Sequence, residues 1–134
     1  MTNKFENLIN GEWVAGNAYT KNINPSNLGD LIGEYAQADA AQLETAVAAA
    51  RAAFPGWSTG GIQARHDALD KIGNEIIARK EELGTLLARE EGKTRAEGIG
   101  EAMRAGSIFK FFAGECLRLA GESLPSVRPG IGVE

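Results

Sequence analysis

Few side chains in this sequence have chemical reach: one cysteine, Cys116, one histidine, His66, and a Gly92-Lys93-Thr94 tripeptide that has the ending of a phosphate-binding loop. Such a loop needs a glycine five residues before its Gly-Lys pair, so that successive backbone N–H groups wrap the anion, and it must follow a buried strand. That position is Leu87, and the residues before Gly92, LGTLLAREE, carry Leu83, Leu86 and Leu87 at helical spacing. A helix corner fits every residue better. Gly92 ends one helix in the left-handed conformation that glycine adopts cheaply, and Thr94-Arg95-Ala96-Glu97 forms a capping box that opens the next. Lys93 is then expected to be a solvated lysine.

A nucleophilic cysteine needs an electropositive, partly open setting that favours the thiolate. Cys116 instead shares helical spacing with Phe109, Phe112 and Leu119, so it is expected to pack as a small hydrophobe. His66 has no serine or cysteine motif beside it and reads as a surface histidine. Glu97 and Glu101, spaced i, i+4, read as a cap and a solvated face. With one cysteine and one histidine, a disulfide framework and an ordinary zinc cluster are excluded.

These residues sit on two kinds of element. The first third is short strands and turns: Leu8-Ile9 and Trp13-Val14 flank Asn10-Gly11, a pair that favours the tight hairpin turn because both residues tolerate positive φ. Tyr19 to Ile23 reads as extended before the Asn24-Pro25 turn, and Leu31-Ile32 with Tyr35 suggests one further strand. From Asp39, whose spacing to Gln42 suggests a capping box, the period becomes helical. Leu43, Ala46, Val47, Ala50 and Phe54 form one stripe, which Pro55-Gly56 is expected to break. A second helix runs from about Ile62 to Arg79 with Leu69, Ile72 and Ile76 inward, and a third from about Lys80 to Glu91. The fourth starts at Thr94, with Ala102, Ala105, Phe109, Phe112, Cys116 and Leu119 inward. Beyond Gly121 the chain turns extended, and its ending in a strand-like stretch at Glu134 suggests a truncated chain.

Composition narrows the classes. At 43% hydrophobic and 24% charged the 134 residues are of ordinary globular type, and a formal net charge of -4 without a basic cluster argues against nucleic acid as a partner. No stretch has the features of a signal peptide or the length of a membrane span, so the cytoplasm is the expected compartment and no membrane is an expected partner.

Asn10-Gly11-Glu12-Trp13, the turn Asn24-Pro25-Ser26-Asn27-Leu28-Gly29, the helix end Phe54-Pro55-Gly56-Trp57 and the corner Glu90-Glu91-Gly92-Lys93 follow one another in the order found in the N-terminal part of the aldehyde dehydrogenase superfamily, which this chain resembles over nearly its whole length. The turn glycine stands one place late, and many members have Asp where Glu90 stands. The run GIGEAMRAGSIFKFFAGECLRLAGESLPSVRPGIGVE is similar to the bacterial 2-oxoglutarate semialdehyde (2,5-dioxovalerate) dehydrogenases, with succinate-semialdehyde dehydrogenases as close competitors.

The resemblance implies an α+β fragment of an α/β enzyme, in which a hairpin, short strands and four amphipathic helices form the N-terminal part of a Rossmann-like cofactor domain. Residues 1–123 would belong to that domain and residues 124–134 would begin an oligomerisation arm. It implies oxidation of an aldehyde by NAD or NADP through a cysteine thioester, in an enzyme that is a homodimer or homotetramer when full length. The nucleophile, the oxyanion donors, the water-activating glutamate and the nucleotide-binding lysine of the family all fall beyond this chain, leaving no catalytic or cofactor-binding residue here. What falls within it is a monovalent-cation site, carried over to the backbone carbonyl of Ile23 and the carboxylate of Glu90. A rival reading is a self-contained helical interaction module without activity.

Overall fold

The structure, a computed structural model, describes residues 3–121 and 123–133. The ends of the two expected units at Met1, Thr2 and Glu134, and Glu122 at their junction, lie outside the described residues. Strand β1 (Lys4–Phe5) is followed by a hairpin of β2 (Asn7–Ile9) and β3 (Glu12–Val14), paired antiparallel with Ile9 opposite Glu12. Its two turn residues have φ of 53° at Asn10 and 82° at Gly11, the left-handed pair that matches the twist of the flanking strands.

Strands β4 (Ala18–Ile23) and β5 (Leu31–Gln37) pair antiparallel, and β1 joins the other edge of β5 in parallel, giving the order β1-β5-β4. Two residues of β1 carry no periodic signal. Their placement depends on Phe5, which stacks on Tyr35 with ring centroids 4.8 Å apart. Gly33 makes room for that ring, since a Cβ there would lie 2.6 Å from Phe5 Cε2.

Helix α1 (Ala40–Ser58) begins as expected, with the Asp39 carboxylate accepting from the Gln42 N–H at 2.8 Å. The Gln42 side chain does not complete a capping box. It donates to the Ala15 carbonyl at 2.7 Å and accepts from Asn7 Nδ2 at 3.1 Å, tying the helix start to the hairpin. Pro55 does not break α1; the helix runs on to Ser58. In the last turn proline forfeits one intrahelical bond, and its own carbonyl accepts from the Thr59 N–H and from the Ser58 and Thr59 hydroxyls. The expected inward stripe is not buried: no residue of α1 is, and Leu43, Val47, Phe54 and Trp57 are exposed.

Helices α2 (Ile62–Ala78), α3 (Lys80–Glu91) and α4 (Arg95–Cys116) behave differently, because α4 crosses both of the others at glycine. A Cβ on Gly98 would lie 2.2 Å from the Gly84 carbonyl oxygen, and one on Gly106 would lie 3.0 Å from that of Gly73. Backbones touch directly there. The buried face of α4 is therefore Gly98, Ala102, Gly106 and Ala113, whereas Phe112 and Leu119, expected inward, are exposed, and Leu119 lies beyond the helix. Close helix approach selects small residues at four-residue spacing, which a search for large apolar side chains passes over. Likewise Ile72 of α2 is 42% exposed while Gly73 beside it is buried.

Among the described residues the buried hydrophobic side chains are Ile32, Ala88, Ala102 and Ala113. That core is thin. A short antiparallel pair, β6 (Leu124–Pro125) and β7 (Gly132–Val133), lies within the stretch expected to be extended.

Candidate functional site

The polar contacts with the longest reach converge where the Asn24-Pro25 turn meets the end of α3. The turn is shaped locally: Asn24 Oδ1 accepts from the Ser26 N–H at 2.9 Å, and Asn27 Oδ1 accepts from the Gly29 N–H at 3.2 Å. Asn24 closes the loop with a 3.0 Å backbone bond to the Asp30 carbonyl and a 3.1 Å side-chain bond to the Asp30 carboxylate. Arg89 of α3 grips the same carboxylate with two bonds, 2.9 Å from Nε and 2.6 Å from Nη2. Those bonds first, and the Asn24 amide second, lower the Asp30 pKa from 3.8 to about 2.

The corner itself completes the contact. Gly92 caps α3 at φ 72°, ψ 19°, and its carbonyl accepts from Ser26 Oγ at 2.9 Å. A Cβ at Gly92 would meet Ser26 Oγ at 2.7 Å and Pro25 Cγ at 2.8 Å, so the position excludes side chains for conformation and for space. Thr94 then opens α4 with both halves of the capping box, Glu97 returning its carboxylate to the Thr94 N–H at 3.1 Å. Two motifs that lie far apart in the sequence thus form one junction.

Ile23 and Glu90 both belong to it. Ile23 ends β4 at the register shift before the turn, and Glu90 lies in the last turn of α3, half-buried. Glu90 Oε1 accepts from Nδ2 of Asn22, the residue before Ile23, at 2.8 Å, and lies 3.4 Å from the Tyr35 hydroxyl. Among the described residues no group of three or more His, Cys, Asp and Glu could hold a metal ion. The contacts of the Glu90 carboxylate at this junction are thus with an amide and a phenol, both of which donate to it. Asn22, Asp30 and Arg89 were not singled out by sequence reasoning, and Tyr35 was read only as a strand residue. Asp30 could have been, since it closes the turn segment NPSNLGD in which the Asx residues recur.

The remaining candidates stand apart from one another. Lys93 is not a free solvated lysine: its ammonium pairs with Glu101 at 2.7 Å and with Glu91, which together raise its pKa, and Glu101 is thereby more than a solvated face. A phosphate would have to displace two carboxylates. His66 is half-buried rather than on the surface, its Nδ1 donating to the Ala113 carbonyl at 2.9 Å and tying α2 to α4. Cys116 is half-buried at the end of α4, short of the core position expected for it.

The model of the family described as "Aldehyde dehydrogenase family" matches residues 13–133. The alpha-ketoglutaric semialdehyde dehydrogenase of Bacillus subtilis (strain 168) is 35% identical over 126 residues, covering 92% of this chain and 26% of that protein. The NADP(+) succinate-semialdehyde dehydrogenase of Escherichia coli (strain K12) is 34% identical over 120 residues, covering 88% of this chain and 25% of that protein. The crystal structure of an NAD-dependent aldehyde dehydrogenase from Sinorhizobium meliloti superposes with a TM-score of 0.88 at 26% identity, over 96% of this chain and 26% of that one. The chain thus spans about a quarter of the length of these relatives.

Proposed function

This chain belongs to the aldehyde dehydrogenase family, and we propose that it is the N-terminal segment of an NAD(P)+-dependent enzyme that oxidises a small semialdehyde to its acid through a cysteine thioester. The observation that carries this reading is the junction itself: the turn and the corner that the family resemblance pairs meet through Ser26, Gly92, Asp30 and Arg89. Residues 1–123 are assigned to the cofactor domain and 124–134 to an oligomerisation arm of a homodimer or homotetramer located in the cytoplasm. Among the described residues no helix is long and apolar enough to cross a membrane.

The segment's work in this reading is structural. The nucleophile, oxyanion donors and water-activating carboxylate must act together, and they are supplied by the portion of the enzyme outside this chain. The apolar faces of α1 and of the groove between α3 and α4, lined by Leu83, Leu86, Leu87 and Ala105, would be covered by that portion. The Ile23 carbonyl and the Glu90 carboxylate would hold a monovalent cation beside the turn, and such a cation would stiffen it by neutralising the carboxylate. For substrate we favour 2-oxoglutarate semialdehyde, after the Bacillus subtilis relative. Succinate semialdehyde is the second reading, after the Escherichia coli one.

Reading the coding frame downstream of Glu134 and assaying both forms tests this. The frame should continue into a Pro-Trp-Asn-Phe-like stretch, the motif from which the oxyanion-holding asparagine comes in the family that this chain resembles. The extended enzyme should reduce NAD+ or NADP+ with one of the two semialdehydes, and the 134-residue chain should give no stoichiometric burst. A burst from the 134-residue chain would sink the assignment of the active site to residues outside it. A sharp, monodisperse two-state melt of the short chain would favour an independent helical module instead.

A further inference from the structure

The hairpin turn carries chemistry that the family reading does not use. Asn10 is the one asparagine followed by glycine in this sequence. It is exposed at the tip of the β2–β3 turn, with φ of 53°, and space around Gly11 is open, since a Cβ placed there would meet nothing within 4 Å. The side chains of Asn7, Asn17, Asn22, Asn24, Asn27 and Asn74 are each engaged in hydrogen bonds. Among the described residues Asn10 has no such bond, and Asn3, which shares that freedom, is followed by Lys4, which carries the Cβ substituent that Gly11 lacks.

We propose that Asn10-Gly11 is a self-modification site of the folded chain, at which the side-chain amide is converted to a carboxylate. The Gly11 backbone nitrogen, losing its proton to a solvent base, attacks Asn10 Cγ. The new C–N bond closes a five-membered imide as the Cγ–Nδ2 bond breaks and Nδ2 leaves as ammonia, taking up a proton. Water then adds to either imide carbonyl, giving an aspartyl or an isoaspartyl linkage. The balance is one water consumed and one ammonia released, with nothing oxidised or reduced. Glycine is what makes the nitrogen accessible, and the proline after Asn24 has no N–H to lose.

The isoaspartyl product would act on the fold. It adds a methylene to the backbone of a two-residue turn whose register, Asn7 to Val14, Leu8 to Trp13 and Ile9 to Glu12, depends on that length. It also places a new carboxylate two residues from Glu12. Because Asn7 of the same hairpin holds Gln42 at 3.1 Å, the start of α1 would lose an anchor.

Incubating the purified chain in mildly alkaline buffer, followed by acid proteolysis and mass spectrometry, tests the site against a free peptide of residues 8–14. In the folded chain the mass change of amide to acid should appear first in the fragment containing Asn10-Gly11, as two separable isomers, and faster in alkaline than in mildly acidic buffer. Asn10→Asp, which the same turn accepts, should remove most of the ammonia released. An Asn10 that stays intact after the free peptide has converted would overturn the proposal by showing that the hairpin protects it. Ammonia release undiminished in Asn10→Asp, or equal conversion at Asn3, would do the same.

Discussion

Helices α2, α3 and α4 form a unit in which backbone meets backbone, whereas α1 and the hairpin are joined to the rest by polar contacts at their ends. The first unit buries Gly73, Gly84, Ala88, Gly98, Ala102, Gly106 and Ala113; α1, though 19 residues long, buries none. The difference teaches that helical sequence quality and packing are separate matters. α1 is capped by Asp39 and rich in alanine, yet the large side chains of its apolar stripe, including Phe54 at 65% exposure, are exposed. In the family reading that stripe awaits a partner, while the glycine crossings are already complete.

The sharpest way to break the contrast is Gly98→Val. With a Cβ position 2.2 Å from the Gly84 carbonyl oxygen, α3 and α4 must separate, at a cost of about 3 kcal/mol or more. Chemical denaturation followed by circular dichroism should show the helical transition shifted or abolished, and an unchanged midpoint would mean that the crossing can absorb a side chain. Next comes Gly92→Ala at the junction, which combines a φ of 72° with contacts of 2.7 and 2.8 Å and should cost about 1–2 kcal/mol. Lys93→Ala beside it should cost less, since its carboxylate partners are half-exposed. If the two variants prove equal, the corner owes more to its ion pairs than to its backbone.

The junction also has a pH signature. The depressed Asp30 pKa means that its stabilisation is fully present above the ordinary value of 3.8 and is lost as pH falls through about 2. Asp30→Asn should therefore melt below the parent chain at neutral pH, with the gap closing across that window. A gap that persists below it would remove the Arg89 pairing as its cause. The smallest effect is expected in α1, where Val47→Ser should change the stability of this chain by no more than about 0.5 kcal/mol because the side chain is already exposed. The same substitution in an extended enzyme should cost several times more. Equal effects in the two would argue that the stripe has no partner to lose.

Much of the local structure was legible. Asn10-Gly11 announces a turn because both residues accept positive φ, and Gly92 with Thr94 announces a helix corner because one end needs a left-handed residue and the other an oxygen acceptor. The end of α1 was misread, since a proline in a last turn removes only one bond and stops nothing. The inward face of α4 was misread for another reason. Its contacts select smallness rather than hydrophobicity, so the spacing Gly98, Ala102, Gly106 carried the signal and Phe112 did not.

By itself, then, the sequence determined what is decided within a few residues: turns, caps, helix periods, and motifs whose order marks a family. Only the tertiary structure decided that Asp30 meets Arg89, that Asn22 meets Glu90, that Lys93 is held by Glu91 and Glu101, and that glycine rather than phenylalanine faces inward on α4. The physical reason is one of range. Backbone preferences act between neighbours in the chain, while an ion pair or a helix crossing depends on which distant segment arrives opposite, and no local preference encodes that partner.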